Sequence, residues 1–233
     1  VPLLVLLLVA LSKMVYVTID FSLNSPGICI FNDKTQQYHF ISYLKSGLGT
    51  KKEQKIQEDL KNLKGVTLYY QPDFSNSKTY SSAELAKINR YVTTADKIIN
   101  LIKDIVQDMD EFVFAFEGTS YGSNGGTNNM IDMAAGAAIL KLKILENFSP
   151  ITIETVAPST IKKHAGKGNM NKAQLWKVFL DNTLEDKIIG ESEMHSFCVN
   201  EVGETSKIPK PFDDLVDAYF LNAYLKSTFY LQA

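Results

Sequence analysis

The sequence predicts an α/β domain built on a mixed sheet. Three β-rich runs, residues 15–19, 27–32 and 37–43, follow one another with only turn residues between them, the pattern of an antiparallel meander. Beyond them helical and strand periodicities alternate and end on a helix, which favours parallel pairing. At 233 residues the chain can bury one sizeable core, and no tandem repeat or long polar tail interrupts it.

The opening VPLLVLLLVAL is apolar but shorter than the roughly 20 residues that span a bilayer. It lacks the basic start and small-residue cleavage pattern of a signal peptide. Residues 1–13 are therefore expected to be an extension ahead of a single domain, 14–233, with no membrane anchor. The first strand, in YVTIDFSLNSPGICIFN, ends on Asp20. After the third strand a lysine-rich stretch, a short β-like run at 66–70 and the turn-rich PDFSNSKTYSS are expected to form a surface insertion over about 45–82. Leu85, Ile88, Val92, Ile98, Leu101, Ile102 and Ile105 recur at helical spacing through 83–109.

Residues 111–116 then form an apolar strand ending on Glu117, and a Gly/Ser/Asn loop leads into a helix over 130–148 with a small MAAGAA face. A strand at 151–156, a short helix opened by Pro158, a glycine and lysine loop, a helix at 173–180 and a closing amphipathic helix over 213–230 complete the chain. The expected sheet has five strands, three antiparallel and then parallel ones.

The formal charge is −2 and Arg90 is the one arginine, so bidentate reading of bases is excluded as a main mode and lysine contact with phosphate is favoured. Cys29 and Cys198 stand in apolar surroundings and read as buried free thiols, which suits a reducing, cytoplasmic setting. His195 lies near Cys198, but two further ligands at zinc spacing are missing. Gly166-Lys167-Gly168 lacks the upstream glycine and following Ser/Thr of a phosphate loop, so no nucleotide cofactor is expected.

The acids carry more. Asp20 closes the first strand, Glu117 closes the strand at 111–116, and in PFDDLVDAYFLNAYL Asp214 and Asp217 are three apart on one helix face. If the two strands are neighbours pointing the same way, Asp20 and Glu117 stand side by side and the closing helix can lay its pair over them. Clustered carboxylates repel, so such a group calls for cations, and hard oxygen donors fit Mg²⁺ or Mn²⁺. Singly, each acid has an ordinary explanation: a turn at Asp20, a loop cap at Glu117, a negative helix start at Asp213 and Asp214. Asp217, a turn further into the helix among apolar residues, is harder to explain as a helix-start charge.

This combination resembles the acidic signature of the RuvC-like Holliday junction endonucleases of the RNase H-like superfamily, most of all their divergent phage and large-virus members. VAPSTIKKHAGKGNMNK is similar to the family's lysine, glycine, lysine segment. The first motif departs from the family in having Phe21 and Asn24 where a Pro-Gly start is common. The resemblance implies that Asp20, Glu117, Asp214 and Asp217 are the catalytic metal ligands, holding two Mg²⁺ ions for which Mn²⁺ substitutes. It implies phosphodiester hydrolysis at four-way DNA junctions, leaving 5′-phosphate and 3′-hydroxyl ends. Lys162 and Lys172, with Lys163 and Lys167 beside them, would contact DNA, and Tyr121 would wedge into the opened junction. Two symmetric cuts imply a homodimer.

Other readings keep or change the class. A branched-DNA or RNA–DNA hybrid nuclease would share fold and metals. An actin-like ATPase would need a second nucleotide-binding half, and a non-catalytic scaffold would not need all four acids.

Overall fold

In the computed structural model, residues 14–72, 80–106, 111–118 and 127–230 are described. The strands are β1 (Met14–Asp20), β2 (Gly27–Asn32), β3 (Gln37–Lys45), β4 (Val66–Gln71), β5 (Glu111–Glu117) and β6 (Pro150–Val156). The helices are α1 (Lys51–Leu60), α2 (Tyr80–Ile105), α3 (Thr127–Asn147), α4 (Pro158–Ala165), α5 (Lys172–Leu180), α6 (Lys187–Gly190), α7 (Glu193–Phe197) and α8 (Phe212–Tyr230), with a π-helical turn at Cys198–Val202 before α8.

The sheet order is β4-β3-β2-β1-β5-β6. β1, β2 and β3 form the expected meander, and β1–β5, β5–β6 and β3–β4 are parallel. The sheet thus has six strands rather than five. The extra strand comes from the stretch expected to be a surface insertion: α1, with a Thr50/Glu53 capping box, is the crossover that a parallel β3–β4 pair requires. Val66 and Leu68 alternate inward on β4, while Leu60 and Gln57 of α1 are buried.

Period-2 alternation splits the sheet into two apolar faces. Val15, Val17, Ile19, Phe112, Phe114 and Phe116 pack under α2 and α3. Tyr16, Cys29, Phe31, Val113 and Ala115 pack under α8 together with Trp176 and Phe179 of α5. α8 is apolar nearly all round because it is covered on nearly every side, by the sheet and by α4 and α5. It lies close on β2 because residue 27 has no side chain: a Cβ there would sit 2.3 Å from the Asp214 carbonyl oxygen.

The small face of α3 divides. Gly136 is buried, where a Cβ would meet the Phe21 ring at 2.8 Å, so this part of the face is intramolecular core. Ala134 and Ala135 are exposed, as are Ile131, Leu142 and Leu145. Both cysteines are buried and free. Among the described residues no helix is long and apolar enough to cross a membrane.

Candidate active site

β1 and β5 run parallel with Ile19 opposite Phe116, which sets Asp20 and Glu117 next to each other at the carboxyl ends of adjacent strands. Even-numbered Tyr16 and Thr18 on β1, and odd-numbered Val113 and Ala115 on β5, face α8, so both acids emerge on that side. α8 is held in register beside them by a buried polar brace. Thr18 Oγ1 donates to the Ala218 carbonyl at 2.8 Å, and Asn222 Nδ2 donates to the carbonyls of Tyr16 (3.0 Å) and Cys29 (3.2 Å). Ala218 is the next residue after Asp217, so the brace fixes where that carboxylate falls.

Asp20, Glu117 and Asp217 each offer an oxygen within 4.8 Å of the others. They line a cleft of about 350 Å³ shared with Phe21, Ser22, Met133, Lys162, Lys172 and Asp214. Three oxygen donors from three separate elements fit a hard divalent cation. Crowding of like charges shows in the acidities. Burial, then Glu117, Asp214 and Asp217, raise Asp20 well above the usual carboxylate range, with Lys172 opposing. Burial and Asp217 push Glu117 up to about 7. Burial also raises Asp217, against the pull of Lys172.

Asp214 is placed differently. Lys210 Nζ lies 2.6 and 2.7 Å from its two oxygens, and Ser25 Oγ donates to Oδ2 at 2.5 Å. Burial and Asp213 still push it up to about 6. It lines the cleft but is not one of the three converging carboxylates. Asp213 is no simple helix-start charge: its Oδ2 lies 3.1 Å from Lys172 Nζ and 3.0 Å from Lys210 Nζ.

Lys172 also reaches Asp217 at 3.3 Å, and its ammonium is held more firmly protonated than usual: burial opposes the charge, but Asp217, Asp213 and Asp214 outweigh it. Lys162, half-buried on α4, lines the cleft; Lys163 and Lys167 are exposed beyond it. Lys177 pairs with Glu204 and Asp181, away from the cleft. Asp132 pairs with Lys87 at 3.3 Å. Tyr121, the expected wedge, lies outside the described residues, as do residues 1–13. His195 is satisfied by the carbonyls of Phe179 and Leu180, and the acidic trio is the sole group with metal-ligating geometry among the described residues.

Sequence reasoning missed Lys210, Ser25, Thr18 and Asn222. Lys210 carried a readable signal, standing four residues before Asp214 at the entry to a helix. Thr18 and Asn222 carried none, since their partners are backbone carbonyls brought in by tertiary packing.

The mixed sheet, flanked by helices on both faces and carrying acids at the ends of its central parallel strands, is an RNase H-like fold. Among solved structures, the yeast mitochondrial Holliday junction resolvase Ydc2 shares it, with a TM-score of 0.51 and 15% identity over 93% of this chain and 81% of that one. Thermus thermophilus RuvC also matches, at a TM-score of 0.49 and 10% identity over 92% of this chain and 96% of that one. The Mn-soaked human cytomegalovirus terminase nuclease domain matches at 0.41 and 12% identity over 92% and 83%. No protein-family model and no curated protein sequence matches the chain.

Proposed function

We propose that the protein is a metal-dependent endonuclease that cuts branched DNA, four-way junctions above all. The observation that carries this reading is the convergence of Asp20, Glu117 and Asp217 from β1, β5 and α8 within 4.8 Å, beside Lys162 and Lys172. Those three carboxylates would hold Mg²⁺, with Mn²⁺ as a substitute. When bound, the ion supplies Lewis-acid activation of the attacking water and stabilises the leaving oxygen. Water adds to phosphorus, the bond to the 3′ oxygen breaks, and that oxygen takes up a proton, leaving 5′-phosphate and 3′-hydroxyl ends.

The chain's own contribution is position and charge. Lys162 at the cleft wall, with exposed Lys163 and Lys167 on α4 and the loop after it, forms a basic track for phosphates, which dominate affinity without reading sequence. Lys172 joins that track from the start of α5, with a side chain 56% exposed. A second ion, expected from the resemblance, would need Asp214, whose oxygens Lys210 and Ser25 now occupy. A C2 homodimer is supported by the exposed apolar stripe on α3, Ile131, Ala134, Ala135, Leu142 and Leu145, whose spacing places all five along one helix face.

The test is cleavage with Mg²⁺ of a four-way junction, a flap, a linear duplex and an RNA–DNA hybrid, by the native protein and by Asp20→Asn. Paired symmetric nicks on the junction, lost in the variant while DNA binding persists, are expected. Comparable cutting of flap or hybrid would broaden the substrate class, and turnover by Asp20→Asn would refute the site.

A further inference from the structure

The acids around the cleft differ in what their oxygens face. Asp20, Glu117 and Asp217 turn one oxygen each toward a common point. Asp214 turns both of its oxygens away from that role: Lys210 Nζ bridges them at 2.6 and 2.7 Å, and Ser25 Oγ closes on Oδ2 at 2.5 Å. The same ammonium reaches Asp213 Oδ2 at 3.0 Å, so one lysine bridges two neighbouring carboxylates, the second of which it shares with Lys172. Lys210 is itself held in place. Its carbonyl accepts from Gln57 Nε2 at 3.1 Å, and Gln57 is a buried residue of α1 that also donates to Leu48 O. With its backbone anchored at the entry to α8 and its ammonium on both oxygens of Asp214, Lys210 is placed as the counter-ion of that carboxylate.

Resting on the metal-nuclease reading above, we propose that Lys210 is a built-in cation that takes the place of a second divalent ion at Asp214. The DNA-free protein accordingly accepts one ion, in the Asp20, Glu117, Asp217 trio. Lys210 is a positioning residue: it touches a carboxylate of the cleft and not the reacting atoms. Its electrostatics follow from the cost of crowding like charges. An ammonium already centred on Asp214 satisfies that carboxylate and repels an incoming divalent cation; removing it leaves Asp214 with no cation, Asp213 keeping Lys172 at 3.1 Å, and opens Asp214 to one.

The experiment is a Mn²⁺ titration without DNA, counting bound ions from the loss of the free-ion electron paramagnetic resonance signal, with Trp176 fluorescence reporting that each variant is folded. Expected are one ion per chain for the native protein, two for Lys210→Met, and one again for the double variant Lys210→Met/Asp214→Asn. Lys210→Gln, which keeps an amide donor and loses the charge, is expected to match Lys210→Met and serves in its place if the methionine variant does not fold. Two ions on the native protein, or one on both charge-removing variants, would overturn the inference while leaving the trio as a metal site. A native protein that binds no Mn²⁺ would overturn the functional reading, and this inference with it.

Discussion

Clustered carboxylates repel one another, so in EDTA removing one of them should make the protein more stable. Glu117 is the sharpest probe. Its ordinary carboxyl ionises at 4.5, whereas in the folded protein burial and the neighbouring Asp217 push it up to about 7. Between those values the folded state binds more protons than the unfolded one, so stability falls as pH rises through that window. At about 1.4 kcal/mol for each tenfold change in proton concentration, keeping Glu117 ionised above pH 7 costs about 3 kcal/mol. Glu117→Gln removes that cost while keeping the side chain's shape. In EDTA at pH 8 the variant should be about 3 kcal/mol more stable, or about 6–12 °C higher in Tm for a domain of this size. At pH 4.5 the difference should vanish. Saturating Mn²⁺ should reverse the order at pH 8, because the native trio binds it and the variant loses a ligand. Thermal unfolding followed by Trp176, the one tryptophan and fully buried, reads all three conditions. A variant no more stable than the native protein in EDTA at pH 8 would refute the placement of Glu117 in a crowded carboxylate cluster.

Other expectations follow from the same geometry. Thr18→Val keeps the shape but deletes the bond to the Ala218 carbonyl; it should cost about 1–2 kcal/mol in urea unfolding and weaken Mn²⁺ binding by loosening Asp217. Gly27→Ala should destabilise by about 3 kcal/mol or prevent folding, because the added carbon meets the α8 backbone at 2.3 Å, and circular dichroism melting will show it. Lys163→Ala and Lys167→Ala should each weaken DNA binding alike on all sequences and lower the slope of log affinity against log salt by about 1, measured by fluorescence anisotropy. Leu142→Glu should yield a monomer by analytical ultracentrifugation if the exposed α3 stripe is the dimer face; an unchanged mass would exclude that face.

Which parts of this were legible in the sequence follows from the range of the forces involved. β1, β5 and α8 announced themselves because their apolar patterns are local and acids break those patterns abruptly: FVFAF ends on Glu117, and Asp217 stands a turn inside its helix among apolar neighbours. β4 was not legible as a sheet strand. Its run is short, and only its pairing with β3 through the α1 crossover makes it one, a decision taken by non-local hydrogen bonds. The division of the acids was hidden for a related reason. Sequence spacing places Asp214 and Asp217 on one helix face and treats them alike, yet the loop before α8 turns Lys210 onto the first and the first residue of α5, Lys172, reaches the second. Equivalent residues acquire unequal roles through their counter-ions, and those counter-ions come from segments whose lysines look, one by one, like ordinary solvated charge. Net charge and lysine count therefore say little here about metal binding; what matters is which carboxylate each ammonium reaches, with α8 seated on the sheet by Thr18 and Asn222 and the Lys210 carbonyl held by Gln57.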